Sequence, residues 1–152
     1  MEFRFEKRAA YIQKNTDYYM KKFNTLEVTG GKVSWNWAAF FFSSVWMLYR
    51  KMYKPFIVVF VLELLVEMFL TSTATLLLSI LVGLFGNYIY MKHIDERIDA
   101  EPAMDMIGQA NYQRKYGGTS WKVVILYLVL YGVITGLLSS MYYTDTSVYN
   151  FL

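Results

Sequence analysis

The chain has 152 residues, enough for one domain, and 56% of them are hydrophobic and 19% aromatic, with a mean hydropathy of +0.27. A domain this small has too little interior to hide that much apolar surface, so lipid is its natural solvent. It has no Cys, which excludes a disulfide scaffold and thiol chemistry, and its net charge of +3 is modest.

Residues 1–32 carry charges throughout and lack the apolar stretch of a secretory signal. Apolar residues among those charges (Phe3, Ala10, Tyr18, Tyr19, Phe23, Leu26) recur with a helical rhythm, and Asn15 or Thr16 suits the cap of a second short helix. This predicts a short cytoplasmic helical segment with an amphipathic face.

Residues 33–52 follow, beginning VSWNWAAFFFSSVWMLY. Asn36, Ser43, Arg50 and Lys54 fall on one helical face, with Ser44 and Lys51 beside it. The rest of the wheel is large and apolar, which predicts an amphipathic helix lying in the membrane interface. Trp35, Trp37, Trp46 and Tyr49 suit that depth, and Arg50, Lys51 and Lys54 suit anionic headgroups.

The long apolar stretch from Pro55 to Met91 exceeds one span of about 20 residues. The polar sequence TSTAT at 71–75 divides it into a first span over 53–72 and a second over 74–92, joined as a tight hairpin. Residues 93–118 read as a cytoplasmic loop: the helix runs on as KHIDERIDAE, breaks at Pro102 and resumes to Tyr116. A third span covers 119–141, with Thr119 or Ser120 as its natural cap, and residues 142–152 form an external tail bearing Asp145.

This arrangement predicts an all-α membrane protein with three transmembrane helices, an interfacial helix before them and a cytoplasmic N-terminus. All 15 Lys and Arg residues then fall on the cytoplasmic side, as expected for a protein of the bacterial inner membrane. A fourth span at 33–49 would instead expel the seven basic residues of 1–32.

Glu63 and Glu67 lie one turn apart within the first span, where a carboxyl is expensive and must face protein or water. Thr75 and Ser79 of the second span and Tyr127, Tyr131 and Thr135 of the third lie at matching depth. Two uses follow from this: a proton or cation relay, or hydrogen bonds that brace the bundle. Bracing is the better account, because no cationic or further acidic partner lies on the other spans. Gly132 and Gly136 on the third span, and Gly83 and Gly86 on the second, mark helix-packing faces. They serve either the monomer or a homo-oligomer.

His93 is the only histidine and lacks a Cys or second His for a metal site, so a solvated juxtamembrane place is expected. Phosphate loops, nucleophile elbows and dinucleotide-binding glycines are absent, and no catalytic set or cofactor is expected. The basic residues beside a membrane point to anionic headgroups and not to nucleic acid.

SWNWAAFFFSSVWMLYRKMY at 34–53, GLFGNYIYMKHI at 83–94 and GGTSW at 117–121 together resemble a bacterial family of small membrane proteins of unknown function. The likeness spans about 34–140 and implies multi-pass membrane location with no established activity. Family members commonly have Gly-Pro in place of Ser43-Ser44, so the kink that the resemblance implies at that point is expected to be missing here. The function expected is that of a non-enzymatic membrane module that self-associates or binds a membrane protein partner. The alternative is a small oligomeric proton- or cation-coupled transporter using Glu63 and Glu67.

Overall fold

The computed structural model describes the backbone of residues 2–70 and 72–149 and the side chains of residues 4–70 and 73–140. The side chains of Phe3 and Thr71, and those of the expected tail 142–152, lie outside the described residues. Among the described residues there are seven helices and no strand. Residues up to Ser120 form one compact unit and those from Trp121 another.

In the first unit, α1 (Glu2–Ile12) ends where Gln13 and Asn15 adopt left-handed backbone. α2 (Thr16–Thr29) starts at Asn15, as its sequence suggests, although that side chain makes no capping bond. Gly30, at φ 63°, stops α2 by donating its N–H back to the Glu27 carbonyl, a conformation that costs glycine little. The chain then runs extended to Asn36, whose side chain caps α3 (Trp37–Tyr49) by accepting from Ala39 N at 3.0 Å.

α4 (Tyr53–Phe69) and α5 (Ser72–Asp99) form the expected hairpin. α5 continues past its apolar half through KHIDERID, and α6 (Met106–Tyr116) resumes after Pro102, capped by Asp105. α3 packs against α4 and α5, while α1 and α2 pack on each other and on α5, and α6 packs on α1. The core lies where they meet, with Tyr11, Phe23, Met47, Met52 and Tyr90 fully buried.

The second unit is α7 (Trp121–Tyr149), a single helix. Every side chain from 128 to 140 is exposed, most of them Leu, Ile, Val or Tyr. The helical backbone also runs through most of the segment expected to be a tail.

Two helical stretches, Thr73–Asp99 and Met106–Ser140, are long and apolar enough to cross a membrane. Within the second, residues 117–120 interrupt the helix, so its apolar part is α7. The expected first span does not reach that length. α4 has 17 residues, about 26 Å at 1.5 Å per residue, against a hydrocarbon layer of about 30 Å.

Candidate functional site

Three constellations hold the first unit together, and each joins segments far apart in sequence. The first is an interlock between 34–40 and the middle of α5. Ser34 N donates to the Leu84 carbonyl at 2.8 Å and Asn36 N to the Gly83 carbonyl at 2.9 Å. Asn36 Nδ2 donates to Asn87 Oδ1 at 2.9 Å, while Asn87 Nδ2 donates to the carbonyls of Ser34 and Trp35. Both asparagines are essentially sealed from solvent, so these bonds satisfy groups that would otherwise be costly to bury.

Glycine is required where α3 crosses α5. A Cβ on Gly83 would stand 2.9 Å from Phe40 Cβ, and one on Gly86 only 2.8 Å from Ala39 Cβ. Gly83 and Gly86 therefore pack within the monomer. A Cβ on Gly132 or Gly136 would meet nothing within 4 Å.

The second constellation is a break in α3. Ser43 has φ 39° and ψ −115°, outside helical geometry, so the helix is kinked there without a Gly or Pro. The expectation that the kink would be missing without Gly-Pro is thereby corrected. Directly after it, Ser44 donates to Glu63 twice, from its backbone N at 3.3 Å and from Oγ at 2.6 Å. Glu63 thus closes the new helix start with a carboxylate, which suits the partial positive charge there.

The other polar residues expected within the spans are placed elsewhere. Glu67 is exposed one turn further along α4. Ser79 does not reach Glu63; its hydroxyl donates to the Thr75 carbonyl in its own helix at 3.1 Å. On α7, Thr135 donates to the Tyr131 carbonyl at 2.9 Å, and the Tyr127 and Tyr131 rings stack at 6.0 Å.

The third constellation is a set of buried cations. Arg50 is 3% exposed and has the rings of Tyr19, Tyr90 and Tyr49 within 6 Å of its guanidinium carbon. Its Nη1 donates to the Lys14 carbonyl at 3.0 Å, just beyond the C-terminus of α1, where a cation is favoured. Arg8 grips Asp95 with two bonds of 2.8 and 2.9 Å and Glu27 with a third of 2.8 Å, tying α1 to α2 and α5. That bond from Arg8 holds the Glu27 carboxyl below its usual range. Tyr11 donates to Glu101, whose side chain is 1% exposed and also meets Lys7 and Gln113. Burial, then the Glu101 carboxylate, pushes the Tyr11 phenol upward.

These placements correct the orientation expected for 33–52. Asn36, Ser43, Ser44 and Arg50 face the protein core instead of lipid headgroups, and Lys54 alone of the expected polar stripe is exposed. Trp46, expected as an interface anchor, is also buried, against α5, whereas Trp37 is exposed and Trp35 and Tyr49 are half-buried. Lys51 donates to the Arg114 and Lys115 carbonyls at the end of α6. His93 is 8% exposed rather than solvated. The periodicity was compatible with either face outward; the carbonyls of 12 and 14, Asn87 and Glu63 decide it by offering partners inside.

A family model for DUF2628, proteins of unknown function, matches residues 6–96, more than half of the chain. The chain belongs to that family. The matched region begins within α1 and ends near the end of α5, so it holds the α3–α5 interlock, the Ser44–Glu63 brace and the Arg8–Asp95 clamp. No curated protein and no solved structure matches the chain.

Asn87, Arg8, Asp95 and Glu101 were not singled out by sequence. Only Asn87 carried a signal, as the polar residue ending GLFGN one turn above the buried Gly83.

Proposed function

We propose that this DUF2628 protein is a multi-pass protein of the cytoplasmic membrane that works without catalysis. It would hold a preassembled helical base at the cytoplasmic face for a membrane protein partner or a second copy of itself. The observation that carries this reading is the division of its surface. Val58, Leu65 and Phe69 of α4, Leu77 and Leu81 of the first half of α5, and the apolar residues of α7 from Leu128 to Leu138 are exposed. Apolar surface of that extent is a liability in water and suits lipid. The polar groups of the base are instead bonded to one another through Arg8, Asn36, Asn87 and Glu101.

On this reading α4, the apolar half of α5 and α7 are the spans. The positive-inside rule then favours a cytoplasmic N-terminus, because all 15 basic residues collect on that side. The short α4 would be accommodated by local thinning or by its Lys54 reaching the interface.

The geometry of Glu63 favours a bracing module over a transporter, since each of its carboxylate oxygens accepts from Ser44 and holds the kink of α3. Alkaline carbonate extraction tests the membrane reading: the chain remains in the membrane pellet, and release into the supernatant overturns it. Size measurement in nanodiscs then separates self-association from a need for another partner. A proton or cation flux in proteoliposomes that disappears in Glu63→Gln, with thermal stability unchanged, would replace the module with the transporter.

A further inference from the structure

α1, the end of α2, the segment after it and the charged half of α5 border an open cavity of about 280 Å³. It is lined by four basic residues, Arg4, Arg8, Lys32 and Lys92, against two acids, Glu27 and Asp95. Both acids are already engaged by Arg8. Lys32 and Lys92 make no salt bridge among the described residues. Each ammonium instead lies 5.9 Å from the centre of the same ring, Tyr88, so the two are no further apart than twice that distance. Two cations so placed repel each other and raise the local positive potential at the mouth of an open cavity. The volume is many times that needed by one water, which leaves room for a hydrated phosphate.

The path of the chain orients this cavity. Lys32 stands over Tyr88, Ser34 bonds the carbonyl of Leu84, and Asn36 bonds that of Gly83. The segment therefore descends α5 from its charged half toward its apolar half. Below the lysines come the rings of Trp35 and Trp37, in edge contact at 5.1 Å, and then Phe40 and Phe41. Basic residues, an aromatic collar and an apolar surface follow in the order in which a phospholipid presents phosphate, glycerol and acyl chain.

We propose that Lys32 and Lys92, sharing the ring of Tyr88, bind the phosphate of an anionic phospholipid headgroup of the inner leaflet. Arg8 is held by its two carboxylates, and Arg4 is bonded to Asp99, whereas the two lysines have no carboxylate partner among the described salt bridges. The site fixes the level at which the base sits on the membrane, and it rests on the membrane reading given above.

The test is native mass spectrometry of the full chain in detergent, titrated with palmitoyl-oleoyl phosphatidylglycerol or the matching phosphatidylcholine. The wild-type chain prefers phosphatidylglycerol. The Lys32→Gln/Lys92→Gln variant loses about tenfold or more in apparent affinity for it, as expected for two cations at headgroup level. Lys32→Arg/Lys92→Arg retains the preference. Lys21→Gln/Arg114→Gln removes the same charge from exposed positions elsewhere and changes affinity by less than about twofold. No preference in the wild type, or equal loss in the control pair, overturns the site. Displacement of the lipid by inorganic phosphate alone overturns the choice of a lipid as the occupant. A chain that resists carbonate extraction yet shows no preference sinks this site and leaves the membrane reading standing, whereas release by carbonate sinks that reading itself.

Discussion

Adding one methyl group to each of two pairs of glycines has opposite consequences. In Gly86→Ala the new Cβ lies 2.8 Å from Ala39 Cβ, with the Trp46 ring at 3.5 Å behind it. Ordinary carbon contacts need about 3.5–4.0 Å, so α3 must retreat by roughly 0.7 Å or more. It cannot do so freely, because Ser34 and Asn36 are bonded to the carbonyls of Leu84 and Gly83. Overpacking of this kind costs about 1–3 kcal/mol, offset by about 1 kcal/mol from the better helix propensity of Ala. The net loss is about 0–2 kcal/mol for one substitution and grows for Gly83→Ala/Gly86→Ala, which presses on Phe40 as well. Gly132→Ala and Gly136→Ala meet open space and gain up to about 1 kcal/mol each. Thermal unfolding in detergent, followed by circular dichroism in the far and near ultraviolet, reads both effects. The α5 variants melt earlier and lose aromatic signal from Trp46, while the α7 variants do not. If Gly86→Ala were as benign as Gly132→Ala, the close crossing of α3 over α5 would be wrong.

Other expectations follow from the kink and the ion pairs. Ser43→Gly relieves a positive φ worth about 1–3 kcal/mol and raises the melting temperature despite the greater freedom of unfolded glycine; a decrease would mean that the serine hydroxyl holds the break. Glu63→Gln keeps one acceptor for Ser44 and is mild, whereas Glu63→Leu strands a backbone N–H and a hydroxyl at about 1–3 kcal/mol each, so a Leu variant as stable as the Gln variant would refute the brace. Because Arg8 lowers the Glu27 pKa on folding, the stability from that pair is present above the ordinary value of 4.5 and fades as pH falls through the lower folded value. Glu27→Gln therefore flattens the acid limb of a melting-temperature profile, and an unchanged limb would remove Glu27 from the clamp.

Helices were legible where composition and chain-breaking residues spoke together. The division of the apolar stretch near TSTAT, the extension through KHIDERID, the break at Pro102 and the start at Thr16 all lie in the sequence as strong local signals, although α5 already begins at Ser72. Which face of α3 turns inward was not legible, because Asn36, Ser43 and Arg50 suit water and buried polar partners equally. The partners are Asn87, 51 residues away, the Lys14 carbonyl, 36 away, and, for Ser44, Glu63, 19 away. Glu63 was legible as a polar group that needs a partner, but that partner is Ser44 of the preceding helix. The kink at Ser43 had no local cause to read. It is imposed by tertiary contacts that outweigh the strain of one residue.

On the proposed membrane reading, the helical base stands on the cytoplasmic side and the α4–α5 hairpin turns on the other. A chain with no native cysteine allows this to be read from single substitutions at exposed positions: Asn24→Cys on α2, Ala110→Cys on α6 and Thr73→Cys at the hairpin. With a membrane-impermeant maleimide on intact cells, the account predicts labelling of Thr73→Cys alone, and of Asn24→Cys and Ala110→Cys only after permeabilisation. Labelling of Asn24→Cys from outside intact cells would contradict it.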